Sequence, residues 1–351
     1  MASYILKRLL LMIPTLVGVM LVTFIVTQFV PGGPVEQLIS QMEGGVGGGE
    51  INTTSSSLYQ GNKGLDQEQI EKLNALYGFD KPAYQRFFDM MIRYVQFDLG
   101  DSYFHNKSVM ELMVSKLPVS ISLGVWSFVL VYLTCIPLGI KKAVRDGTKF
   151  DVVTSTIILI GYAIPGFILG IALLVLFGGG SFFDVFPLKG LVSDNWHELP
   201  WYQQITDYLW HMVLPIIAST LGSFAVLTML TKNSFLEEIR KQYVLTARAK
   251  GLAESTVLYH HVFRNAMIPI ITGFPGAFIA AFFTGSLLIE TIFSLDGLGL
   301  LSYESILKRD YPVVLGSLFF YTILGLFAKL LADISYVLID PRIQFESVDS
   351  K

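Results

Sequence analysis

Residues 234–270 read SFLEEIRKQYVLTARAKGLAESTVLYHHVFRNAMIPI, a stretch that is mostly polar and ends in apolar sequence. The runs that flank its polar part, residues 208–231 and 265–289, contain no Asp, Glu, Lys or Arg. Each run exceeds the roughly 20 residues that an α-helix needs to cross a bilayer. The pattern therefore predicts two membrane-spanning helices joined by a polar segment, residues 233–264, at the membrane surface.

The composition of the whole chain is that of a membrane protein. Its 351 residues are 52% hydrophobic and only 15% charged, whereas soluble domains carry about 25% charged residues. The net charge of −3 argues against a nucleic-acid partner. Cys135 is the single cysteine, which excludes an intrachain disulfide and a cysteine-based metal site, and we expect it to be a small packed residue.

Six runs without charged side chains are candidates to span the hydrocarbon core. They are residues 9–35, 117–140, 152–183, 208–231, 265–289 and 311–328, the last of which continues past Lys329 and Asp333 to residue 339. The first run follows Lys7 and Arg8, as a signal peptide would, but it is too long for one and no small-residue cleavage site closes it. We therefore expect an all-α integral membrane protein with six transmembrane helices, the first of which is retained.

Basic residues near the ends of these runs predict the orientation, because short loops rich in Lys and Arg stay in the cytoplasm. A cytoplasmic N-terminus places fourteen basic residues inside: Lys7, Arg8, Lys141, Lys142, Arg145, Lys149, Lys232, Arg240, Lys241, Arg248, Lys250, Arg264, Arg342 and Lys351. The two shorter outside loops then hold three, Lys189, Lys308 and Arg309. Both termini are therefore predicted to be cytoplasmic.

The spans divide the chain into predicted domains. These are a cytoplasmic N-terminus with the first span at 1–35, an external helical subdomain at 36–116, a core of spans two to six at 117–339, which includes the polar segment, and a cytoplasmic tail at 340–351. Within the subdomain, the Gly/Ser/Thr-rich stretch 44–64 reads as a flexible insertion. Helical apolar spacing follows from residue 66, including Phe87, Met90, Met91, Tyr94 and Val95.

Two features of the spans and loops stay open at the level of sequence. Trp196, Trp201 and Trp210, in or beside the external loop 184–207, form an interfacial aromatic belt or a platform on which a ligand stacks. Prolines in the spans favour kinks that serve a conformational change or, equally, ordinary packing kinks. These prolines are Pro137, Pro165, Pro215, Pro269 and Pro275.

Within the polar segment the sequence predicts two short helices. Ser234 and Glu237 form an S-x-x-E capping box that would start the first, and Gly251 supplies the left-handed residue that ends it. The first helix carries an apolar stripe of Leu236, Ile239, Tyr243 and Val244. The second helix is expected at 254–263. It could fit a cleft in a soluble partner or lie on anionic lipid, and spacing leaves both open.

Two blocks of the polar segment, TARAKG (246–251) and HVFRNAMIP (261–269), are similar to the EAA loop of ABC-importer permeases of the dipeptide/oligopeptide family. Further blocks match in order along nearly the whole chain: LKRLLLMIPTLVGVMLVTF (6–24), VPGGP (30–34), YGFDKP (77–82), FDLGDSY (97–103), LPVSISLG (117–124), GSLLIETIFSLDGLG (285–299), RDYP (309–312) and DPRI (340–343). The external sequence 190–211 is most similar to the B-type permease subunits of the Yej branch. One departure is that Leu245, Thr246 and Ala247 stand where the general motif has Glu-Ala-Ala.

The resemblance implies the type I ABC importer permease fold. It also implies a role as a transmembrane subunit that imports oligopeptides, including peptide–nucleotide antibiotics of the microcin C type, across a bacterial inner membrane. The implied partners are a second homologous permease subunit, two ABC ATPase domains that are separate or fused, a periplasmic peptide-binding protein and the bilayer. ATP and Mg would bind to the partner subunits, and no cofactor would bind to this chain.

The resemblance also assigns roles to particular residues. The set expected to couple this subunit to the ATPases is Thr246, Ala247, Arg248, Gly251, Glu254, Ser255, Tyr259, His260 and Arg264. The Gly-rich turn after the fifth span lies near the outer gate in the family. Its candidate gate residues here are Glu290, Asp296, Gly297 and Gly299.

Missing motifs disfavour other classes of protein. The sequence contains no G-x-x-x-x-G-K-[ST], H-E-x-x-H or G-x-S-x-G, so the chain is not predicted to be an enzyme, and phosphate chemistry has to come from a partner. Its five histidines are scattered or adjacent and lack the spacing of metal ligands. His260 and His261 are expected at a surface, because adjacent side chains on a helix point apart.

The main alternative is an ion-coupled secondary peptide transporter that acts alone. Such a carrier needs buried ionisable groups, and Lys329 and Asp333, four residues apart in the last run, could form an intramembrane ion pair or a proton relay. A structural pair near the cytoplasmic interface is the preferred interpretation. A membrane scaffold without transport activity is the third class.

Overall fold

The computed structural model describes residues 2–29, 81–179, 182–283 and 286–339. These residues are mainly helical and contain isolated β-bridges but no strand. The helices are α1 Ala2–Phe29, α2 Ala83–Val95, α3 Val109–Val144, α4 Lys149–Ala163, α5 Gly166–Phe177, α6 Trp201–Ile239, α7 Gln242–Ala249, α8 Glu254–Ala266, α9 Ile268–Phe283, α10 Leu287–Ile292, α11 Leu298–Lys308 and α12 Tyr311–Ile339. The predicted insertion at 44–64, the helical stretch 66–80 and the tail 340–351 lie outside the described residues.

The prediction of an all-α fold with six spans is confirmed when each bent helix pair is counted as one span. Four helices, α1, α3, α6 and α12, are long and apolar enough to cross a membrane by themselves. Two further spans consist of helix pairs, α4 with α5 and α8 with α9, which bend by 92° and 51° at short breaks. The fifth span is shorter than the apolar run 265–289, since α9 ends at Phe283 and Leu287 begins α10.

The prolines differ in what they do to the helices. Pro165 lies at the 92° bend, where it precedes the first residue of α5. Pro269 is the second residue of α9, a position where a missing N–H costs little. Pro137, Pro215 and Pro275 lie inside continuous helices. Two of the five prolines, Pro165 and Pro269, therefore lie at the breaks of the two bent helix pairs.

The described chain forms two compact units, of which the first contains the described residues within 1–9, 116–301 and 323–351. Helix α6 is central to its packing, and glycines of neighbouring helices approach it closely. A Cβ on Gly166 would lie 2.6 Å from the carbonyl oxygen of Ala218, and one on Gly139 would lie 2.6 Å from the Cβ of Thr231. Because real Cβ atoms do not come this close, only glycine allows α3 and α5 to pack here.

The second unit contains the described residues within 10–115 and 302–322. Helix α2 buries Phe87, Met90 and Tyr94, as predicted, but Val95 of the predicted stripe is 78% exposed because it lies at the last turn, about 100° around the helix from Tyr94. Buried Asp310 accepts hydrogen bonds from the Ser102 hydroxyl (2.5 Å) and the Tyr103 amide (3.1 Å). The blocks FDLGDSY and RDYP are therefore two sides of one contact.

The loop before α6 is fixed by its aromatic residues. The Trp196 indole N–H donates to the carbonyl of Gln204 (3.0 Å), and that of Trp210 donates to the carbonyl of Val185 (2.9 Å). Trp210 also stacks on Phe186, with ring centroids 4.3 Å apart. Trp201, the first residue of α6, is 73% exposed. Two of the three tryptophans therefore hold the loop in place.

Candidate coupling site

The polar segment begins inside a helix that comes directly from the membrane-spanning part. Helix α6 runs without interruption to Ile239, so Ser234 and Glu237 lie within it and the predicted capping box is wrong. A capping box has no role at this position, because the backbone N–H groups inside a continuous helix already have partners. The Ser234 hydroxyl instead donates to the carbonyl oxygen of Ala266 (2.6 Å), which ties α6 to the end of α8.

The turn between α7 and α8 confirms the prediction for Gly251. Its φ is +78°, in the left-handed region, and its amide donates to the carbonyl of Arg248 (2.9 Å). No atom lies within 4 Å of the position of a Cβ on Gly251. A larger residue would therefore meet open space, and its cost would come from the backbone conformation alone.

Helix α8 has one face packed against α6 and α7 and one face exposed. Its central residues Val257–Val262 form a π-helical turn, a geometry that is often found at functional sites. Val257, Val262 and Ala266 are buried in a cluster with Val244, Ala247 and Phe235. On the other face, Ser255, Tyr259, His260 and Arg264 are exposed, Tyr259 by 60%. The predicted apolar stripe of Leu236, Ile239, Tyr243 and Val244 packs on the same cluster.

An ion pair closes the turn around Gly251. The Arg248 guanidinium donates to both carboxylate oxygens of Glu254, at 2.8 and 3.0 Å, and both side chains are at the surface. Thr246 is exposed as well, whereas Ala247 is buried. Leu245, which replaces the acidic residue of the general motif, is 57% exposed. The structure thus brings the predicted coupling residues together on one surface, except for Ala247, which supports it from below.

Glu238, near the end of α6, holds the start of α7 and the end of α8. The Tyr243 hydroxyl donates to Glu238 (2.7 Å), and Lys241 forms an ion pair with the same carboxylate. The Asn265 amide in turn donates to the Tyr243 hydroxyl (3.3 Å). The hydrogen bond to Glu238 raises the pKa of Lys241. The segment is therefore fastened to α6 by polar contacts in addition to its apolar cluster.

Sequence reasoning missed a group of charges, buried at Lys142 and Asp151 and exposed at Arg240, that we name the ion cluster: Lys142, Asp146, Asp151, Lys232 and Arg240. The Lys142 side chain is 0% exposed and lies 3.0 Å from Asp151 Oδ1. Lys142 also donates to the carbonyl of Asp151 and to the hydroxyls of Thr154 and Ser155, at 2.7–2.9 Å. All hydrogen-bonding capacity of this ammonium is therefore used inside the protein.

The remaining members connect the ion cluster to α6. Lys232 lies 2.7 Å from Asp151 Oδ2 and 3.0 Å from Asp146 Oδ1. Arg240, the residue after α6, lies 3.3 Å from Asp146. The turn between α3 and α4 allows this geometry because Gly147 takes a φ of +72° and its amide donates to Asp151 (3.2 Å). The cluster therefore joins the ends of α3, α4 and α6 beside the polar segment.

The predicted ion pair of Lys329 with Asp333 is wrong. Asp333 pairs with Arg8 of α1, at 3.0 Å, and Lys329 has an exposed side chain in the described part of the chain. The i,i+4 spacing brings the two residues to one face of α12, but a guanidinium from another helix takes the carboxylate. A lysine at such a position can reach the membrane surface with its long side chain.

Of the four candidate gate residues, Glu290 has a buried carboxylate, and Gly297 and Gly299 lie beside it. Glu290 is 0% exposed, and it accepts hydrogen bonds from the amides of Ser286 (3.0 Å) and Leu300 (2.7 Å). A Cβ on Gly297 would lie 2.6 Å from the Glu290 carboxyl carbon, so both glycines of the turn leave room for it. Burial raises the pKa of Glu290, while the backbone donors act against this shift. Asp296 pairs with Lys116 at the surface.

Comparison with known proteins places this arrangement in a family. Residues 135–345 match the binding-protein-dependent transport system inner membrane component. The chain is 59% identical to the peptidoglycan transport system permease protein YejB of Agrobacterium fabrum, over 99% of this chain and 100% of that protein. It is 54% identical to the inner membrane ABC transporter permease protein YejB of Escherichia coli, with the same coverage. It is 31% identical to the dipeptide transport system permease protein DppB of Escherichia coli, over 98% of this chain and 99% of that protein.

The chain therefore belongs to the family of inner-membrane components of binding-protein-dependent transport systems. It has the type I ABC importer permease fold of that family and is a multi-pass inner-membrane protein. Because the family consists of transport permeases, the chain is a permease and not itself an enzyme.

Proposed function

We propose that this chain is one of two permease subunits of an ATP-driven importer that moves oligopeptides from the periplasm to the cytoplasm. Its partners are a second homologous permease, two ABC ATPase domains and a periplasmic peptide-binding protein. ATP and Mg bind to the ATPases, and this chain binds no cofactor. Both termini and the polar segment face the cytoplasm, as the distribution of basic residues supports.

The observation that carries this proposal is the two-sided construction of α8. Its exposed face offers Ser255, Tyr259 and His260 to a partner, while its other face is fixed to α6 by buried Val257 and Val262. The Ser234 bond and the Glu238 contacts add polar links to the same helix. Force applied to α8 is therefore passed to α6 and its neighbours. When the ATPases close on ATP, α8 is drawn inward, and the fourth and fifth spans rotate with it.

The substrate proposal rests on the relatives. Proteins named as permeases for dipeptides, oligopeptides and peptidoglycan are similar to this chain over nearly its whole length. What such cargo shares is a peptide main chain. We include peptide–nucleotide antibiotics of the microcin C type among the substrates. Deletion of this subunit should therefore make a sensitive bacterium resistant to microcin C and block peptide uptake together.

Cross-linking tests the docking surface. Cysteine at Ser255 or Tyr259, with a short bifunctional reagent, should capture a nucleotide-hydrolysing protein in native membranes. Cysteine at Trp201, which is equally exposed but lies at the other end of α6, is the control and should not. The native Cys135 is fully buried and should not react. If neither position on α8 captures an ATPase, the proposal fails.

Gly251→Val tests whether the turn between α7 and α8 couples ATP hydrolysis to peptide uptake, and it removes no side-chain contact. A β-branched residue at φ +78° is strained, although the space around it is open. We expect normal membrane insertion but ATP hydrolysis that no longer drives peptide uptake. Gly251→Asn is the matched control, because Asn enters the left-handed region more readily. Coupled uptake at the wild-type level in the Val variant would count against the docking role of this turn.

Reconstitution separates the proposal from an ion-coupled carrier. Purified chain in liposomes with a pH gradient and no partners should not accumulate peptide, and addition of the partner subunits with ATP should start accumulation. The pairing of Asp333 with Arg8 supports this expectation, since that carboxylate already has a permanent counter-charge. Accumulation by the chain alone would favour the carrier.

A further inference from the structure

A cavity of about 710 Å³ lies within the first unit, between α3, α6 and α9. Its volume falls in the range of binding sites for small organic molecules. Among its described lining residues there is no Asp, Glu, Lys, Arg or His. Five of the lining residues are serines: Ser120, Ser127, Ser219, Ser223 and Ser286. We name this space the hydroxyl cavity.

The serines of the hydroxyl cavity differ in what they bind. Ser120 accepts a hydrogen bond from the Leu298 amide (2.9 Å), and Ser219 donates to the carbonyl of Pro215 (2.6 Å). The Ser127 oxygen is buried and finds no hydrogen-bond partner among the described residues. A buried polar atom without a partner is uncommon in native proteins and requires an explanation. A ligand in the cavity would supply the missing partner.

The lining also limits which groups of a ligand can be recognised. A serine hydroxyl both donates and accepts, so it can pair with a peptide N–H or C=O. A full charge has no counter-charge in the described lining, and an apolar wall does not replace its water. The walls fit a peptide main chain and uncharged side chains better than charged termini. The same walls offer no fixed charge that would trap a passing substrate.

We propose that the hydroxyl cavity holds the main chain of the transported peptide through hydroxyl contacts, so that this subunit does not discriminate between acidic and basic side chains. This inference rests on the proposed function and adds a binding surface to it. Helix α6 forms one wall of the cavity and, further along, carries the polar segment. Movement of α8 therefore changes the cavity directly.

Opposite charges at one position give the sharpest test. Ser223 is an exposed residue of the lining, and Ser223→Asp and Ser223→Lys are controls for each other. The complete transporter in liposomes is given an acidic and a basic peptide of equal length, with the same binding protein throughout. The ratio of acidic to basic uptake should fall in the Asp variant and rise in the Lys variant, so that the two differ by at least about tenfold. An equal ratio in both variants would overturn the proposal.

A neutral substitution tests the hydrogen bond itself. Ser127→Ala should raise the KM for peptide roughly threefold to tenfold without lowering Tm, because it removes a hydroxyl with no partner among the described residues. Thr134→Val is the control on the same helix, since Thr134 is exposed outside the cavity lining and already donates to the carbonyl of Leu130 (2.6 Å). An unchanged KM in Ser127→Ala would refute the contact with substrate.

Chemical labelling covers the case in which charged variants fail to assemble. Ser223→Cys should react with a water-soluble thiol reagent, and excess peptide should slow that reaction severalfold in the complete transporter. Buried Cys135 leaves the wild type unlabelled as the blank. Absence of protection by peptide would overturn the cavity proposal. Failure of the wild-type transporter to import any peptide would instead overturn the proposed function, so the two failures are distinct.

Discussion

Two neighbouring stretches of α6 treat polar groups in opposite ways. From Ala218 to Leu230 the helix lines the hydroxyl cavity, whose described walls carry no charge. Two residues further on, Lys232 enters the ion cluster, where three cations and two carboxylates lie within ion-pair distance of one another. The difference shows where charge is useful in this protein. It joins helix ends that have to move together and is absent where, on our proposal, a substrate has to pass.

The largest effect should come from the buried carboxylate of the ion cluster. Asp151→Asn leaves the Lys142 ammonium, 0% exposed, without its counter-charge. We expect the free energy of unfolding to fall by about 3–5 kcal/mol, measured as a lower Tm of the solubilised complex. Asp146→Asn is the control, because its carboxylate is 36% exposed and its loss should cost about 1 kcal/mol or less. Equal Tm values for the two variants would show that the buried carboxylate of the ion cluster stabilises the protein no more than the exposed one does.

Substitution of two glycines should change the free energy of unfolding by smaller amounts and in opposite directions. Gly139 packs against Thr231 beside the ion cluster, and Gly139→Ala should cost about 1–3 kcal/mol through overpacking. Gly222 lines the hydroxyl cavity with no atom within 4 Å of a Cβ, and Gly222→Ala should stabilise α6 by about 0.5–1 kcal/mol. Thermal unfolding of both variants measures this. A loss of stability in Gly222→Ala would mean that the cavity is smaller in solution.

Two serines of α6 should give the smallest effect. Ser234→Ala removes the hydrogen bond to Ala266 and should cost about 1 kcal/mol. Ser223→Ala, in the cavity, should change stability by less than about 0.5 kcal/mol, as is usual for sites without a structural contact. A shift in Tm for Ser234→Ala alone would sharpen the distinction between the structural end of α6 and its cavity wall.

The spans and the turn at Gly251 could be predicted from sequence because each has a local physical cause. Charge-free runs of about 20 residues leave few alternatives to a membrane helix. Among the common residues glycine takes a positive φ most readily, which made Gly251 a clear break between two helices. The exposure of the α8 face also followed from its polar residues, although its π-helical turn did not.

The errors and omissions concern contacts between distant parts of the chain. Lys232 and Asp151 are 81 residues apart in sequence, and no spacing rule connects them. The Lys329–Asp333 pair was wrong because i,i+4 spacing says nothing about Arg8 on another helix. The capping box was wrong because S-x-x-E has the same appearance within a helix as at its start. Tertiary partners decide these cases, and a local pattern does not contain them.

The 92° bend at Pro165 has a consequence for how the chain enters the membrane. Helices α4 and α5 have 15 and 12 residues, which correspond to lengths of about 22 and 18 Å. Each is shorter than the roughly 30 Å of the hydrocarbon core. Neither α4 nor α5 is long enough to cross the membrane alone. Gly166 allows the bend between them to pack directly against α6. We therefore expect stable integration of the third apolar run to depend on its packing against α6.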